Sequence, residues 1–212
     1  MLSNDRSTPP RHTRVFATVL QFLVLAGCGA QAPAAEADAD GFRGTALTEP
    51  LPRVDFTLTD TQGQPFAFRE RTDGRLTFLF FGYTSCPDVC PVHMTNLAAV
   101  LQRFPHDVRS RVMVVFVTTD PERDTLERIR DWLDGFDPSF IGLRGPVDEV
   151  NRIQTQFNLP AAGVGQLRPD GSYDVGHAAS ILAFQPDGPA RLAYPFGTRQ
   201  ADWEHDIPLL LR

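Results

Sequence analysis

Apolar positions along this chain gather in short blocks, and the densest is Leu76 to Tyr83 (LTFLFFGY), bounded by Asp73-Gly74 on its amino side. A short run without alternation predicts a strand buried on both faces, as in parallel sheets. Beyond it Met94, Leu97, Ala98, Leu101 and Phe104 recur at helical spacing. They predict a helix to about Phe104, with Pro91 at its start, where a missing N–H costs nothing. Upstream, Val54, Phe56 and Leu58 alternate, Asp60 to Gly63 supplies turn chemistry, and Phe66 and Phe68 resume the alternation, which predicts a β-hairpin.

Downstream, Val112 to Thr119 (VMVVFVTT) reads as a second buried strand. Asp124 is expected to cap the helix that follows, with Glu127 completing a capping box and Leu126, Ile129, Leu133 and Phe136 on the inner face. Phe140 to Leu143 is a short strand, and Pro146 opens a helix with Val150, Ile153 and Phe157 inward. Tyr173 to Val175 and Ala179 to Phe184 are expected as paired strands, and Gln185 to Gly188 turns the chain back into Leu192 to Tyr194. A short helix from Asp202 to Ile207 is expected to stop before Pro208. Strands alternating with helices, followed by a late hairpin, predict a three-layer α/β/α domain.

The amino-terminal segment has a different pattern. Arg6, Arg11 and Arg14 precede an apolar stretch from about Val15 to Ala26. That stretch is roughly a dozen residues, too short to span a bilayer but suited to a signal peptide. Leu25-Ala26-Gly27-Cys28 resembles the lipobox of bacterial lipoproteins, in which Cys28 is acylated and becomes the mature amino terminus. The expected organisation is a leader over residues 1–27, a lipidated Cys28 with a flexible Ala-, Asp- and Gly-rich tether over 28–50, and a folded domain over 51–212. Such a protein leaves the cytoplasm and sits, lipid-anchored, on the extracytoplasmic face of a bacterial membrane.

Charge narrows the function. The chain has a net charge of −6, and loss of a leader carrying three Arg and one Asp leaves −8. Every cationic side chain apart from histidine is Arg. An acidic chain without a basic stripe excludes nucleic acid as a partner and electrostatic binding to anionic lipid.

The chemistry lies where the central strand turns into its helix. Cys86 and Cys90 flank Pro87-Asp88-Val89, and Cys90 falls near the helix amino terminus, where partial positive charge favours thiolate. Residues four apart on a helical turn bring their Cβ atoms to about 5–6 Å, close enough to chelate one metal or to form a disulfide. A domain of about 160 ordered residues does not need a disulfide for stability, so the thiols are free for chemistry. Redox pairs of the thioredoxin type have two residues between their cysteines, and a third favours a metal. Two thiolates suit Cu(I) or Zn(II). A structural zinc site wants four ligands, and no second Cys pair is present, so the arithmetic favours copper. His93, His106, His177 and His205 are the candidate third ligands in the domain.

Several stretches taken together carry a family resemblance. FGYTSCPDVCP, TTDPERDT about thirty residues on, GLRG, and the Tyr173-x-Val-x-His177 segment before an apolar strand resemble the Sco/SenC family over roughly residues 52–190. The resemblance implies a thioredoxin-like fold and an anchor outside the cytoplasmic membrane. It implies copper, as Cu(I) or Cu(II), held by Cys86, Cys90 and His177. The implied task is assembly of the copper-A centre of cytochrome c oxidase subunit II, with a copper donor and a thiol reductant as further partners. It also implies that the TTDPERDT loop is a surface used to meet partners. One departure stands out: the family's Asp-His-Ser is Gly176-His177-Ala178 here, and Asp174 is the carboxylate close enough in sequence to replace the lost one. Placement of His177 on a loop apart from the helix favours it over His93, because two ligands from one helical turn would strain a shared metal. The rival function is an enzyme, a thiol–disulfide oxidoreductase in which Cys86 and Cys90 cycle through a redox-active disulfide to reduce the apo-oxidase.

Overall fold

A computed structural model describes residues 41–212. The expected leader, Cys28 and the first part of the tether lie outside the described residues. In chain order the first half comprises β1 (Thr45–Leu51), β2 (Thr57–Asp60), β3 (Pro65–Ala67), α1 (Phe68–Arg71), β4 (Leu76–Gly82), α2 (Val89–Leu101), α3 (His106–Arg109) and β5 (Val112–Thr118). The second half comprises α4 (Leu126–Asp134), β6 (Ile141–Arg144), α5 (Val147–Gln156), β7 (Gly163–Val164), β8 (Val175–Gly176), β9 (Ser180–Phe184), β10 (Ala190–Pro195) and α6 (Gln200–Leu210).

Eight strands form one sheet in the order β1-β10-β9-β4-β5-β6-β2-β3. β4, β5 and β6 run parallel, with β9 antiparallel against the other side of β4. Every residue of β4 is buried, as its unbroken apolar run requires. Period-2 geometry then deals its side chains to two cores. Leu76, Phe78 and Phe80 join Val114, Phe116, Leu97, Ile129, Leu133, Trp203 and Ile207 on the face covered by α2, α4 and α6. Leu79 and Phe81 join Val115, Val117, Phe68, Val150 and Ile153 on the face covered by α1 and α5. The result is the expected thioredoxin-like three-layer α/β/α domain. The β2–β3 hairpin is added to the far side of β6.

Four expectations need correction. The ordered domain begins before residue 51: β1 pairs with β10 along the sheet edge, and buried Asp206 on α6 accepts the backbone N–H of Arg43 (3.0 Å) and of Gly44 (2.8 Å). β1 buries only Leu51, so an edge strand of this kind shows no alternation, and its partners lie far along the chain, between Ala190 and Ala193. Helix α4 is capped by Thr125, whose Oγ1 accepts from Arg128 N at 3.1 Å, and not by Asp124. Tyr173 to Val175 does not pair with β9; β8 pairs with β7 in a separate two-stranded ribbon. Finally, α6 continues past Pro208, which sits in its last turn, where Leu211 N still bonds to Ile207 O at 3.2 Å.

Candidate metal centre

β4 ends at Gly82, and the chain turns through Tyr83, Thr84 and Ser85 into Cys86, whose N–H donates to Tyr83 O at 3.2 Å. The Asp88 carboxylate accepts Val89 N (2.6 Å) and starts α2. Cys90 lies in the first turn of α2, and its N–H points at Cys86 Sγ from 3.5 Å. Both thiols are free and buried. Gly82 makes room for them, since a Cβ there would lie 2.7 Å from Cys90 Sγ.

His177 follows β8 directly. Its Nδ1 lies 2.9 Å from Ala178 O, a group that can only accept, so Nδ1 donates there and Nε2 is the nitrogen left to face the thiols. That Nε2 lies 3.5 Å from Cys90 Sγ and 3.9 Å from Cys86 Sγ. The rings of Phe80 and Tyr83 flank the imidazole edge-on. Among the described residues the ligand atoms of Cys86, Cys90 and His177 form the only metal-ready group of three or more His, Cys and carboxylate side chains, all within 4.8 Å of one another. A trigonal metal with bonds of about 2.3 Å to sulfur and 2.0 Å to nitrogen would place its sulfur and nitrogen ligands about 3.7 Å apart. The observed separations bracket that value, so the donor set fits one ion.

The other histidines have different positions. His93 is buried between Phe80 and Phe196, and its Nε2 donates to Ala179 O at 3.1 Å. It ties α2 to the chain just past His177, and that hydrogen bond occupies its Nε2. His205 pairs with Asp206 on α6. Asp174 does not replace the carboxylate lost beside His177: it is exposed and paired with Arg168. The carbonyl of Ala178 takes over the orienting role.

The two thiols differ in charge. A hydrogen bond from the Cys90 thiol, one from His177, and the N–H groups of Cys90 and Asp88 outweigh burial and hold the Cys86 pKa down to about 3. Burial first, and then the neighbouring Cys86, push the Cys90 thiol up. Burial opposes charge on His177, but Cys86 and the Ala178 carbonyl win and raise it. Without a cation the pair holds one thiolate, at Cys86, and Cys90 gives up its proton only when a cation takes its place.

Sequence reasoning missed the supports. Asp124 is wholly buried and accepts Thr84 N (3.0 Å), Thr84 Oγ1 (2.5 Å) and Thr118 Oγ1 (2.6 Å). Arg128 binds Thr84 Oγ1 and Ser85 Oγ, and Arg144 of the GLRG stretch holds the carbonyls of Pro121 and Asp124. The quoted motifs thus converge on the turn before Cys86. The signal was their co-occurrence, and only the fold shows its direction.

Comparison with known proteins agrees with this arrangement. The SCO1/SenC family profile matches residues 46–212. A Stutzerimonas stutzeri relative is 34% identical over 134 residues, which are 63% of this chain and 64% of that one. The solution structure of apo Sco1 from Thermus thermophilus is 35% identical, covers 80% of this chain and 97% of its own, and superposes with a TM-score of 0.70. The structure of Bradyrhizobium japonicum ScoI with copper bound is 30% identical, covers 74% of this chain and 98% of its own, and has a TM-score of 0.66. With a profile match over most of its length and the motif residues gathered at one site, this chain belongs to the SCO1/SenC family.

Proposed function

We propose that this protein is a copper metallochaperone. Cys86 and Cys90 bind the ion as thiolates and His177 completes the site through Nε2. The observation that carries this reading is the third donor, an imidazole whose Nε2 is aimed at both sulfurs and is open to an ion once its proton leaves. Soft thiolates favour copper, and no fourth side chain joins the cluster among the described residues, which disfavours structural zinc. The copper-bound relative supports the same ion. Three protein ligands leave a position at which an acceptor's ligand can enter, so copper can pass by exchange of ligands, and Cys90 regains its proton on release. In this reading copper is cargo, and its destination is the copper-A centre of cytochrome c oxidase subunit II. The domain works on the extracytoplasmic side of the membrane, tethered through acylated Cys28.

The unequal thiols favour a second reading, a thiol–disulfide oxidoreductase. The Cys86 thiolate attacks a partner disulfide, releasing one partner thiolate and forming a mixed disulfide. Cys90 then loses its proton and attacks Cys86 Sγ, which frees the reduced partner and leaves a Cys86–Cys90 disulfide. Anaerobic copper titration of the reduced protein separates the readings. One ion per chain, lost on oxidation of the pair and on Cys86→Ser or Cys90→Ser, supports the chaperone. Absence of stoichiometric copper with retained disulfide reduction gives the protein to the second reading.

A further inference from the structure

We propose that Asp120, Arg123 and Tyr173 form a clamp that positions His177 over the thiol pair, a reading that rests on His177 being a ligand. His177 directly follows the β7–β8 ribbon, whose ladder pairs Gly163 with Gly176 and Val164 with Val175, with Gly165 N bonded to Asp174 O beyond it, and which is separate from the main sheet. Such a short ribbon specifies register weakly, especially with glycine at one pair. Val175 is buried, but Val164 of the ribbon and Leu167 of the loop that closes it are exposed.

Tyr173, four residues before His177, ties the amino side of this segment to the main domain. Its hydroxyl donates to Asp120 Oδ1 at 3.0 Å, and its carbonyl accepts from Arg123 Nη1 at 3.0 Å. The Arg123 guanidinium lies 3.7 Å from the centre of the Tyr173 ring, and it is paired through Nε with Asp120. The same guanidinium also faces the ring of Tyr83, which itself packs edge-on against His177. Asp120 is buried and its own N–H is held by Thr118 Oγ1 at 3.0 Å. Thr119, one residue earlier, binds Gly82 O through both its N–H and its hydroxyl. One loop, residues 118–125, therefore grips the thiol turn through Asp124 and the histidine segment through Asp120 and Arg123. The TTDPERDT stretch presents these side chains inward, so its role is to hold metal ligands from two separate elements in one frame.

The test uses the purified protein with Arg123→Met, which keeps the apolar stem and removes the fork, Arg123→Lys, which keeps the charge, and Tyr173→Phe. Outer partners of ligating groups contribute about 10–100-fold to metal affinity. Arg123→Met is expected to weaken copper binding within that range and to shift the Cu(II) spectrum toward that of His177→Ala. Arg123→Lys should not rescue it, because an ammonium cannot make the two-point contact. In the metal-free protein, amide hydrogen exchange should speed up over residues 173–178 in all three variants and stay slow over residues 76–90. If the wild type binds copper and the Arg123 variants keep its affinity and spectrum, the clamp is overturned. Unchanged exchange at residues 173–178 overturns it independently of copper. A wild type that binds no copper, with the exchange result as expected, refutes the metal reading and leaves the clamp standing.

Discussion

The imidazole of His93 donates to the carbonyl of Ala179 at 3.1 Å, two residues beyond His177, so one histidine braces the segment that carries the other. The proximity of His93 to the cysteines in sequence is thereby explained without a metal. His93→Ala removes a buried ring and its bond to the Ala179 carbonyl, which together should cost about 2–4 kcal/mol of stability. Its Cu(II) form should keep the nitrogen signature of a bound imidazole. His177→Ala should lose that signature with little change in melting temperature. Paramagnetic resonance and thermal unfolding of both variants check this, and the reverse pattern would make His93 the ligand.

Gly82 allows a close approach. A methyl there would meet Cys90 Sγ at 2.7 Å and the rings of Phe80 and Phe116 at 3.0 and 3.1 Å. Gly82→Ala should destabilise the domain by about 1–3 kcal/mol by overpacking and turn Cys90 Sγ away from the metal position. Adding Cys90→Ala should recover part of the stability and none of the copper binding. Additive effects on stability in this double-mutant cycle would mean that the sulfur is not what Gly82 makes room for.

The thiol pair should show its inequality in alkylation. An ordinary thiol loses about tenfold in thiolate per pH unit below its pKa of about 8.5. Cys86, with its pKa lowered to about 3, is already thiolate throughout that range. Its reaction with iodoacetamide should therefore be nearly flat from about pH 8 to pH 5. Burial keeps Cys90 protonated and slow. Peptide mapping of the modified residue gives the readout. A tenfold fall per unit at Cys86 would contradict the assignment.

Cys28→Ala tests the anchor. Wild-type protein is expected in the membrane fraction with acyl chains on its amino-terminal cysteine. The variant should be released or remain as uncleaved precursor. A mature amino terminus that mass spectrometry finds unacylated would remove the lipid from the proposed function.

Unbroken apolar runs at Leu76–Gly82 and Val112–Thr118 were enough to place two buried parallel strands, because a strand covered on both faces admits almost no other residue type. The cysteine spacing was likewise legible, since Cys86 and Cys90 are local and a strand-to-helix turn brings them together whatever the rest of the chain does. The resemblance pointed to His177, and the fold brings its Nε2 to the sulfurs.

Long-range contacts decided the rest. Asp124 has the local signature of a helix cap, yet burial makes its carboxylate worth more as an acceptor for Thr84 and Thr118, and Thr125 takes over the cap. β1 buries too little to show a period and exists because β10 offers an edge and Asp206 two acceptor oxygens. Asp174 stands near His177 in sequence but turns to Arg168, while a backbone carbonyl orients the imidazole. Carbonyls carry no side-chain identity, so no reading of residue types could have named Ala178. Local pattern determined the strands, the turn and the thiols; which polar group satisfies which buried partner was settled only once the sheet had closed around them.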